Sequence, residues 1–360
     1  MPDKTPRNLA LERRKELLAL DARMAAEILA AYRAIERHLA EQIRGLRLLL
    51  AQPAGTTPEK LASLLAQKSR FAKLQQQIVH EIWVMSHTIA PQITAAQSQA
   101  VELGASHAAE LMQAAIPAAT IGVEFNAINF AAVKSFVGLM GDGTPIFRYF
   151  VTVLSKDAAI RVREALLMGL VTGQGADAIA RQLRDALNGN RARAQTIART
   201  EITRAYRKSA IEEYLANDDV VEGWVWTAAR DGRTCAVCWA MDGQFFENDQ
   251  PFESHVNCRC VARPQSKTFA ELGIDVAVET RAVIEPGEDA FAKLPADRQL
   301  EILGPAKYEA YKSGKLQLRD LVGFKSDRTW GGSRFERSLA DALKGPDKRA
   351  FPMPKKKKVA

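Results

Sequence analysis

Apolar residues recur at three- and four-residue spacing through the first third of the chain, which predicts amphipathic helices. The pattern covers residues 8–52, then 57–89, then roughly 93–115, with Pro91 interrupting it between the last two stretches. Residues 1–120 are therefore expected to form a helical hairpin or bundle that serves as a scaffold or partner-binding arm.

Shorter helices are predicted in the middle of the chain. The patterns at 155–168 and 177–187 predict two helices in a helix–turn–helix-like pair. We interpret the pair as an ordinary helical hairpin rather than a DNA-reading motif. Residues 190–215 predict one further helix. Its basic side chains form either a solvated face or a phosphate-contacting face, and the solvated face is favoured because no aromatic residues interleave to stack bases. These side chains are Arg191, Arg193, Arg199, Arg204, Arg207 and Lys208.

A small β unit is predicted at 224–263. Residues 220–227 are rich in β-branched and aromatic residues and predict a strand with its two tryptophans on one face. Residues 241–246 predict a hairpin turn into a second strand, and 261–263 predict a third. The unit is too small to be stable on apolar area alone, so metal binding is expected to supply the missing folding energy.

The remaining chain is predicted to be helical up to a basic tail. Short helices are expected at 291–303 and 308–314, and a last one at 333–344. The predicted fold class is thus α+β, with domains at 1–120, 121–263 and 264–345 and a flexible tail at 346–360. The tail carries Lys355, Lys356, Lys357 and Lys358, which are expected to touch nucleic acid loosely.

Composition supports two or more folded domains. The 360 residues are 47% hydrophobic, and the sequence has neither an apolar run long enough for a bilayer nor a signal-peptide core at its start. We therefore expect folding in a cytoplasm, where cysteines stay reduced and bind metal rather than form disulfides. The net charge of +8 permits contact with nucleic acid or with an acidic protein surface.

All four cysteines lie close together and predict a structural zinc site. Cys235-x-x-Cys238 is followed after sixteen residues by His255-x-x-Cys258-x-Cys260, so five donors compete for four positions. Cys258 and Cys260 would point to opposite faces of a strand, and Cys260 is favoured as the fourth ligand. The alternative is four reduced cysteines without metal.

The sequence lacks the further groups that a catalytic site needs. His255 cannot serve both as a metal ligand and as a general base, and no deaminase motif precedes Cys235. A phosphate-binding loop is also absent. We therefore expect a structural metal and no enzyme activity.

Several short motifs together resemble the head-morphogenesis domain of tailed-phage minor head proteins, the Mu F-like family. They are Arg199-Thr200-Glu201, Trp226-Thr227, the run from Asp231 to Cys238, Asp242-Gly243, and the run from His255 to Cys260. A later segment is similar to the sequence that often follows in such proteins, so the resemblance covers about 150–345; its residues are Leu294-Pro295, Gln299, Ile302-Leu303-Gly304 and Asp320-Leu321-Val322. Val256 stands where proline is usual after the histidine, and proline there would only stiffen the turn.

The resemblance implies a minor capsid component made with the portal and present in few copies inside the head. The implied partners are the portal or major capsid protein and viral double-stranded DNA, with no membrane and no small-molecule substrate. The implied locations are the virion and, during assembly, the host cytoplasm. Two alternatives stay open: a zinc-stabilised DNA-binding module, and an ADP-ribosyltransferase-like toxin or effector that Arg199-Thr200-Glu201 faintly resembles.

Overall fold

The computed structural model describes residues 5–50, 57–115, 125–126, 128, 135–171, 176–273, 284–327 and 331–351. Its long helices are α1 (Pro6–Leu50), α2 (Thr57–Ala115), α4 (Ser155–Val171) and α5 (Ala176–Ala216). Together with two small antiparallel sheets they confirm the predicted α+β class. Among the described residues, no helix is both long enough and apolar enough to cross a membrane.

The chain divides into two compact units. We call Met1–Ala19, Gln97–Val137 and Thr203–Ala360 the cysteine unit, and Leu20–Ala96 and Gly138–Ile202 the helical unit. The predicted domain boundaries stay a prediction, because compactness alone does not show which segments fold independently.

The helical unit is built on the apolar stripe that the sequence predicts. Met24, Ile28 and Tyr32 of α1 are buried, at the spacing of one helix face. The Tyr32 hydroxyl donates a hydrogen bond to the side chain of Asn190, whose amide donates to the backbone carbonyl of Leu154 at 3.0 Å. The buried side chains of Tyr32 and Asn190 are thus paired, as stability requires.

Two helix breaks predicted in this region are wrong. Helix α2 continues through Pro91, which faces solvent while Ile89, Ala90 and Ile93 are buried. Proline removes one backbone hydrogen bond from the helix. The burial of the neighbouring apolar side chains offsets the free energy that this costs. The predicted helices at 177–187 and 190–215 are likewise one helix, α5.

The predicted helix at 155–168 begins earlier in the structure. Helix α3 (Ile146–Tyr149) leads through a π-helical segment, Phe150–Leu154, into α4 without a break. The second helix of the predicted helix–turn–helix-like pair, 177–187, is the first part of α5. Because α5 has 41 residues, this part is not a short recognition helix. The predicted Gly turn at 173–175 lies outside the described residues.

The cysteine unit contains a three-stranded sheet of β1 (Val221–Thr227), β2 (Phe245–Glu247) and β3 (Val261–Ser266), in the order β2-β1-β3. Trp224 and Trp226 share one face, as predicted, and stack on the rings of Phe246 and Phe252 at centroid distances of 4.2 and 4.0 Å respectively. Strand β3 continues past Pro264, where the prediction ends it, because an edge strand tolerates a residue without an N–H.

This sheet is not the self-contained unit predicted from the sequence. Its tryptophans share one core with Tyr214 of α5, with Phe291 and with Leu318. The sheet therefore buries more apolar area than its own residues could bury alone, and this burial stabilises it. A metal is not the sole source of its folding energy.

The C-terminal part contains a β-hairpin that the sequence analysis missed. Strands β4 (Val322–Asp327) and β5 (Gly331–Glu336) pair where a helix at 333–344 is predicted. The ring of Phe335 packs over Gly323, where a Cβ would lie 2.7 Å from that ring. The helical elements around it are α7 (Gly287–Ala292), α8 (Ala296–Leu303), α9 (Pro305–Lys312), α10 (Leu339–Ala342) and 3-10 turns at Leu318–Leu321 and Lys348–Ala350.

Two helical glycines provide a matched test of packing in the long helices. A Cβ on Gly104 of α2 would lie 2.4 Å from the carbonyl oxygen of Tyr206, whereas a Cβ on Gly189 of α5 would meet nothing within 4 Å. We expect Gly104→Ala to lower the free energy of unfolding by about 1–3 kcal/mol and Gly189→Ala to raise it by about 0.5–1 kcal/mol. Urea titrations followed by circular dichroism measure both, and equal effects would contradict this packing.

Candidate metal centre

The first half of the site is the beginning of a short helix. Cys235 is the N-cap residue of α6 (Ala236–Met241), and its carbonyl accepts a hydrogen bond from the Trp239 amide at 3.0 Å. Cys238 follows within the same helical turn and is buried. The Cys-x-x-Cys spacing therefore brings both sulfurs to one end of a helix.

The loop before Cys235 is fixed by its own polar side chains. The Asp231 carboxylate accepts hydrogen bonds from the Arg233 amide at 3.0 Å and from the Thr234 hydroxyl at 3.1 Å. The Asp231 amide donates to the Thr234 hydroxyl in return, at 3.1 Å. Asp231 and Thr234 thus close the turn that delivers Cys235, which gives this part of the family motif a structural role.

The segment after α6 is held by one buried carboxylate. Asp242 is fully buried and accepts hydrogen bonds from the Ala228 amide at 2.8 Å, from Arg230 at 2.6 Å and from both terminal nitrogens of Arg7 at 3.2 Å. Gly243 then turns the chain with a φ of +89°, a conformation that favours glycine. These contacts fix the far end of the helix that carries Cys238.

The second half of the site is a loop and not a strand. Asn257 has a left-handed backbone with a φ of +63°, and the Cys258 amide donates to the His255 carbonyl at 3.3 Å. The expectation that Cys258 and Cys260 point to opposite faces is therefore wrong, because it assumes an extended backbone. Both sulfurs approach Cys238.

The predicted donors converge on Cys238. Its sulfur lies 3.1 Å from Nε2 of His255 and 3.8 Å from the sulfur of Cys258, while the Cys235 sulfur lies 3.3 Å from the same Nε2. Two overlapping sets result, Cys235–Cys238–His255 and Cys238–Cys258–Cys260, each with its donor atoms within 4.8 Å of one another. Sulfurs in a tetrahedral zinc site are separated by about 3.8 Å, so this cluster can hold a metal ion.

The histidine presents the nitrogen that a metal needs. Its Nδ1 lies 2.8 Å from the Val256 carbonyl oxygen, where it donates a hydrogen bond in the Nδ1–H tautomer and leaves Nε2 facing the sulfurs. Metal-binding histidines are commonly oriented by such a bond on the other ring nitrogen.

The protonation states in the cluster are strongly perturbed. The Cys238 thiol, followed by His255, lowers the pKa of Cys235 to about 5 against the opposing effect of burial. Burial lowers the pKa of His255, but the thiolates of Cys258 and Cys235 outweigh it and raise that pKa to about 11. A metal ion that binds here must displace the shared protons, so binding weakens as pH falls.

One side of the cluster borders a small cavity. Its walls include Cys235 and His255, and three arginines, Arg14, Arg233 and Arg259, also line it. Cys235 and His255 are only partly buried, so an ion or a chelator can reach the cluster from this side.

Two of the basic residues predicted to face phosphates are engaged within the protein. Arg207 is only 4% exposed and donates hydrogen bonds to the carbonyl oxygens of Cys260 and Cys258 at 2.8 and 2.9 Å. Arg199 pairs with Asp21 at 2.7 Å. Both readings of Arg207, the favoured solvated face and the phosphate-contacting face, are wrong, because a buried guanidinium that binds two carbonyls does not face solvent.

The other basic residues of α5 are more accessible. Arg193 has a side chain 44% exposed, 3.5 Å from Asp157, and the exposed Lys208 places its amine 4.2 Å from the centre of the Phe136 ring. Arg191 and Arg204 are partly exposed. The four lysines at 355–358 lie outside the described residues.

The Arg199-Thr200-Glu201 motif lies inside α5. Glu201 is 1% exposed, and the Thr200 hydroxyl donates to the Thr196 carbonyl at 2.7 Å. A carboxylate buried within a helix does not reach a nicotinamide pocket, so the motif does not support the ADP-ribosyltransferase alternative.

Sequence reasoning missed the residues that hold the cluster from a distance. Arg7 is separated from Asp242 by 235 residues and Arg207 from Cys260 by 53, and local patterns do not reveal such pairs. The one available signal was Asp242-Gly243, which marks a turn but does not identify the arginines that bind it.

The metal centre lies within a recognised family region. Residues 160–263 match the family described as Phage Mu protein F like protein. No curated protein and no solved structure matches the chain. The match ends at residue 263, so the resemblance beyond it stays a prediction. This match supports a Mu F-like phage head morphogenesis protein, and that family consists of structural virion components rather than enzymes.

Proposed function

We propose that the chain is a minor capsid protein of a tailed phage whose cysteine unit is stabilised by a structural zinc ion. The observation that carries the proposal is the convergence of His255 and three further cysteines on Cys238, inside the family region. Soft thiolates with one imidazole are the donor set of structural zinc sites.

Cys238 is the donor best placed for a four-coordinate arrangement. It belongs to both overlapping sets, whereas Cys258 and Cys260 belong only to the second. Four protein donors fill a tetrahedron and leave no position for a substrate, which favours a structural role for the ion. The zinc would add its binding free energy to that of the shared apolar core.

The proposed location is inside the head, at or near the portal, with the portal or major capsid protein as partner. The family implies this role. The helical unit supports it with exposed aromatic residues: Trp83 and Phe147 are each 45% exposed, and the ring of His87 lies between them at centroid distances of 3.7 and 5.0 Å. Exposed aromatic clusters of this kind favour contact with another protein.

Contact with packaged DNA is the weaker part of the proposal. It draws on the net charge of +8, on exposed Arg193 and Lys208, and on the basic tail. Internal pairing of Arg199 and Arg207 reduces the basic surface that α5 can offer. We therefore propose loose, salt-sensitive contact through few charges and not sequence-specific binding.

Metal content tests the zinc site. We expect one zinc per chain by inductively coupled plasma mass spectrometry after chelator washing, and loss of that zinc in Cys238→Ser and His255→Asn. His80→Asn is the matched control, since His80 is exposed and outside the cluster, and it should keep its zinc. Comparing Cys258→Ser with Cys260→Ser identifies the fourth ligand. Folded wild-type protein without zinc would refute the site.

Protease protection tests the location. In particles of the phage that encodes this chain, quantitative mass spectrometry should find a few copies per head. Those copies should survive external protease and become sensitive once the head is opened. A capsid surface protein digested without opening is the comparison, and absence from particles or digestion in intact heads would contradict the proposal.

DNA affinity separates the head protein from a DNA-binding module. Fluorescence anisotropy of the full chain with duplex DNA should show weak binding that decreases between 50 and 200 mM salt by about 10- to 100-fold, the slope of about two to four phosphate contacts. Replacing Lys355, Lys356, Lys357 and Lys358 with glutamine should remove most of it. Tight binding with a loss of about 10³-fold or more over this range would favour the module.

A further inference from the structure

The loop that carries three of the five donors is held by one arginine from helix α5. The guanidinium of Arg207 donates through Nε to the carbonyl of Cys260 at 2.8 Å, through Nη2 to the carbonyl of Cys258 at 2.9 Å, and through Nη1 to the hydroxyl of Ser254 at 2.7 Å. All three nitrogens of one planar group are thus used on a single seven-residue loop.

These hydrogen bonds hold the backbone next to the metal donors of the loop. The carbonyls of Cys258 and Cys260 belong to the donor residues themselves, and Ser254 immediately precedes His255. Because the fork of an arginine is rigid, a group that spans two carbonyls sets their relative orientation as well as their position. A lysine offers a single point of charge and cannot impose the same geometry.

Arg207 is itself held in place. It is 4% exposed, and its guanidinium carbon lies 4.4 Å from the centre of the Phe252 ring. Phe252 in turn stacks on Trp226 at 4.0 Å. The arginine is therefore anchored to the sheet core on one side and bonded to the metal loop on the other.

The charge of Arg207 also suits a thiolate centre. Zinc with three thiolates and one imidazole carries a net charge of −1, and with four thiolates −2. A buried cation on the adjacent carbonyls offsets that charge on the buried side of the cluster.

We propose that Arg207 is a positioning residue of the metal centre, which holds residues 254–260 in their binding arrangement and thereby strengthens metal binding and slows metal release. The proposal rests on the zinc site proposed above. Outer contacts that orient metal ligands typically contribute about 10- to 100-fold to affinity.

Arg334 is a matched control within the same unit. It is also 4% exposed, lies 5.1 Å from the centre of the Phe246 ring, and donates to two backbone carbonyls, those of Ala350 at 2.8 Å and Glu253 at 2.6 Å. Neither carbonyl belongs to a donor residue. Removing Arg334 should therefore destabilise the core without directly altering the donors.

The experiment compares full-length wild type, Arg207→Met, Arg207→Lys and Arg334→Met. Zinc affinity is measured by competition with a chromogenic chelator, and the release rate in excess chelator. The d–d absorption of the cobalt-substituted proteins reports ligand geometry. We expect Arg207→Met to bind zinc about 10- to 100-fold more weakly, to release it faster and to show an altered cobalt spectrum. Arg207→Lys should bind zinc with an affinity between those of Arg207→Met and wild type. The zinc affinity of Arg334→Met should stay within about threefold of wild type.

The outcomes separate the two proposals. Wild type that binds no zinc would refute the zinc site, and the role of Arg207 with it. Wild type that binds zinc while Arg207→Met binds it equally tightly would refute only the role of Arg207. An equal loss in Arg334→Met would overturn it as well, because the effect would then be one of general stability. If Arg207→Met does not fold, Arg207→Lys decides: affinity and cobalt spectrum equal to wild type would overturn the positioning role.

Discussion

The approach of the Cys238 sulfur to both His255 and Cys258 is the contact on which the cysteine unit depends. It joins a helix N-terminus to a loop twenty residues further along the chain, and both halves lie on the same aromatic core. Thiols and an imidazole gathered this closely either share protons or bind a metal. The left-handed turn at Asn257 lies in the loop that brings His255, Cys258 and Cys260 to Cys238.

Buried charges organise the surroundings of the cluster. Asp242 gathers Arg7, Arg230 and the Ala228 amide, while Arg207 and Arg334 each bind backbone carbonyls and lie near aromatic rings. A buried charge is costly unless it is paired or hydrogen-bonded. Each of these groups meets that condition by binding segments that are distant in sequence, so the polar contacts define which segments pack together.

The sequence revealed the features that depend on local pattern. Helical periodicity predicted α1, and the spacing of Cys235, Cys238, His255, Cys258 and Cys260 predicted the cluster. Pattern failed where tertiary burial overrides local preference. Helix α2 passes through Pro91 because the residues around it are buried, and the β4–β5 hairpin depends on Phe335 packing over Gly323. The role of Arg207 could not be predicted, since its hydrogen-bond partners are carbonyls that every residue possesses.

We propose that sulfur and one imidazole hold a zinc ion in the cysteine unit. Zinc K-edge X-ray absorption on the full chain, purified with its metal, measures that donor set. We expect a four-coordinate shell of three sulfurs at about 2.3 Å and one nitrogen at about 2.0 Å. Four sulfurs would contradict the ligand role of His255. A shell of oxygen and nitrogen alone, or folded protein without zinc, would contradict the proposed zinc site.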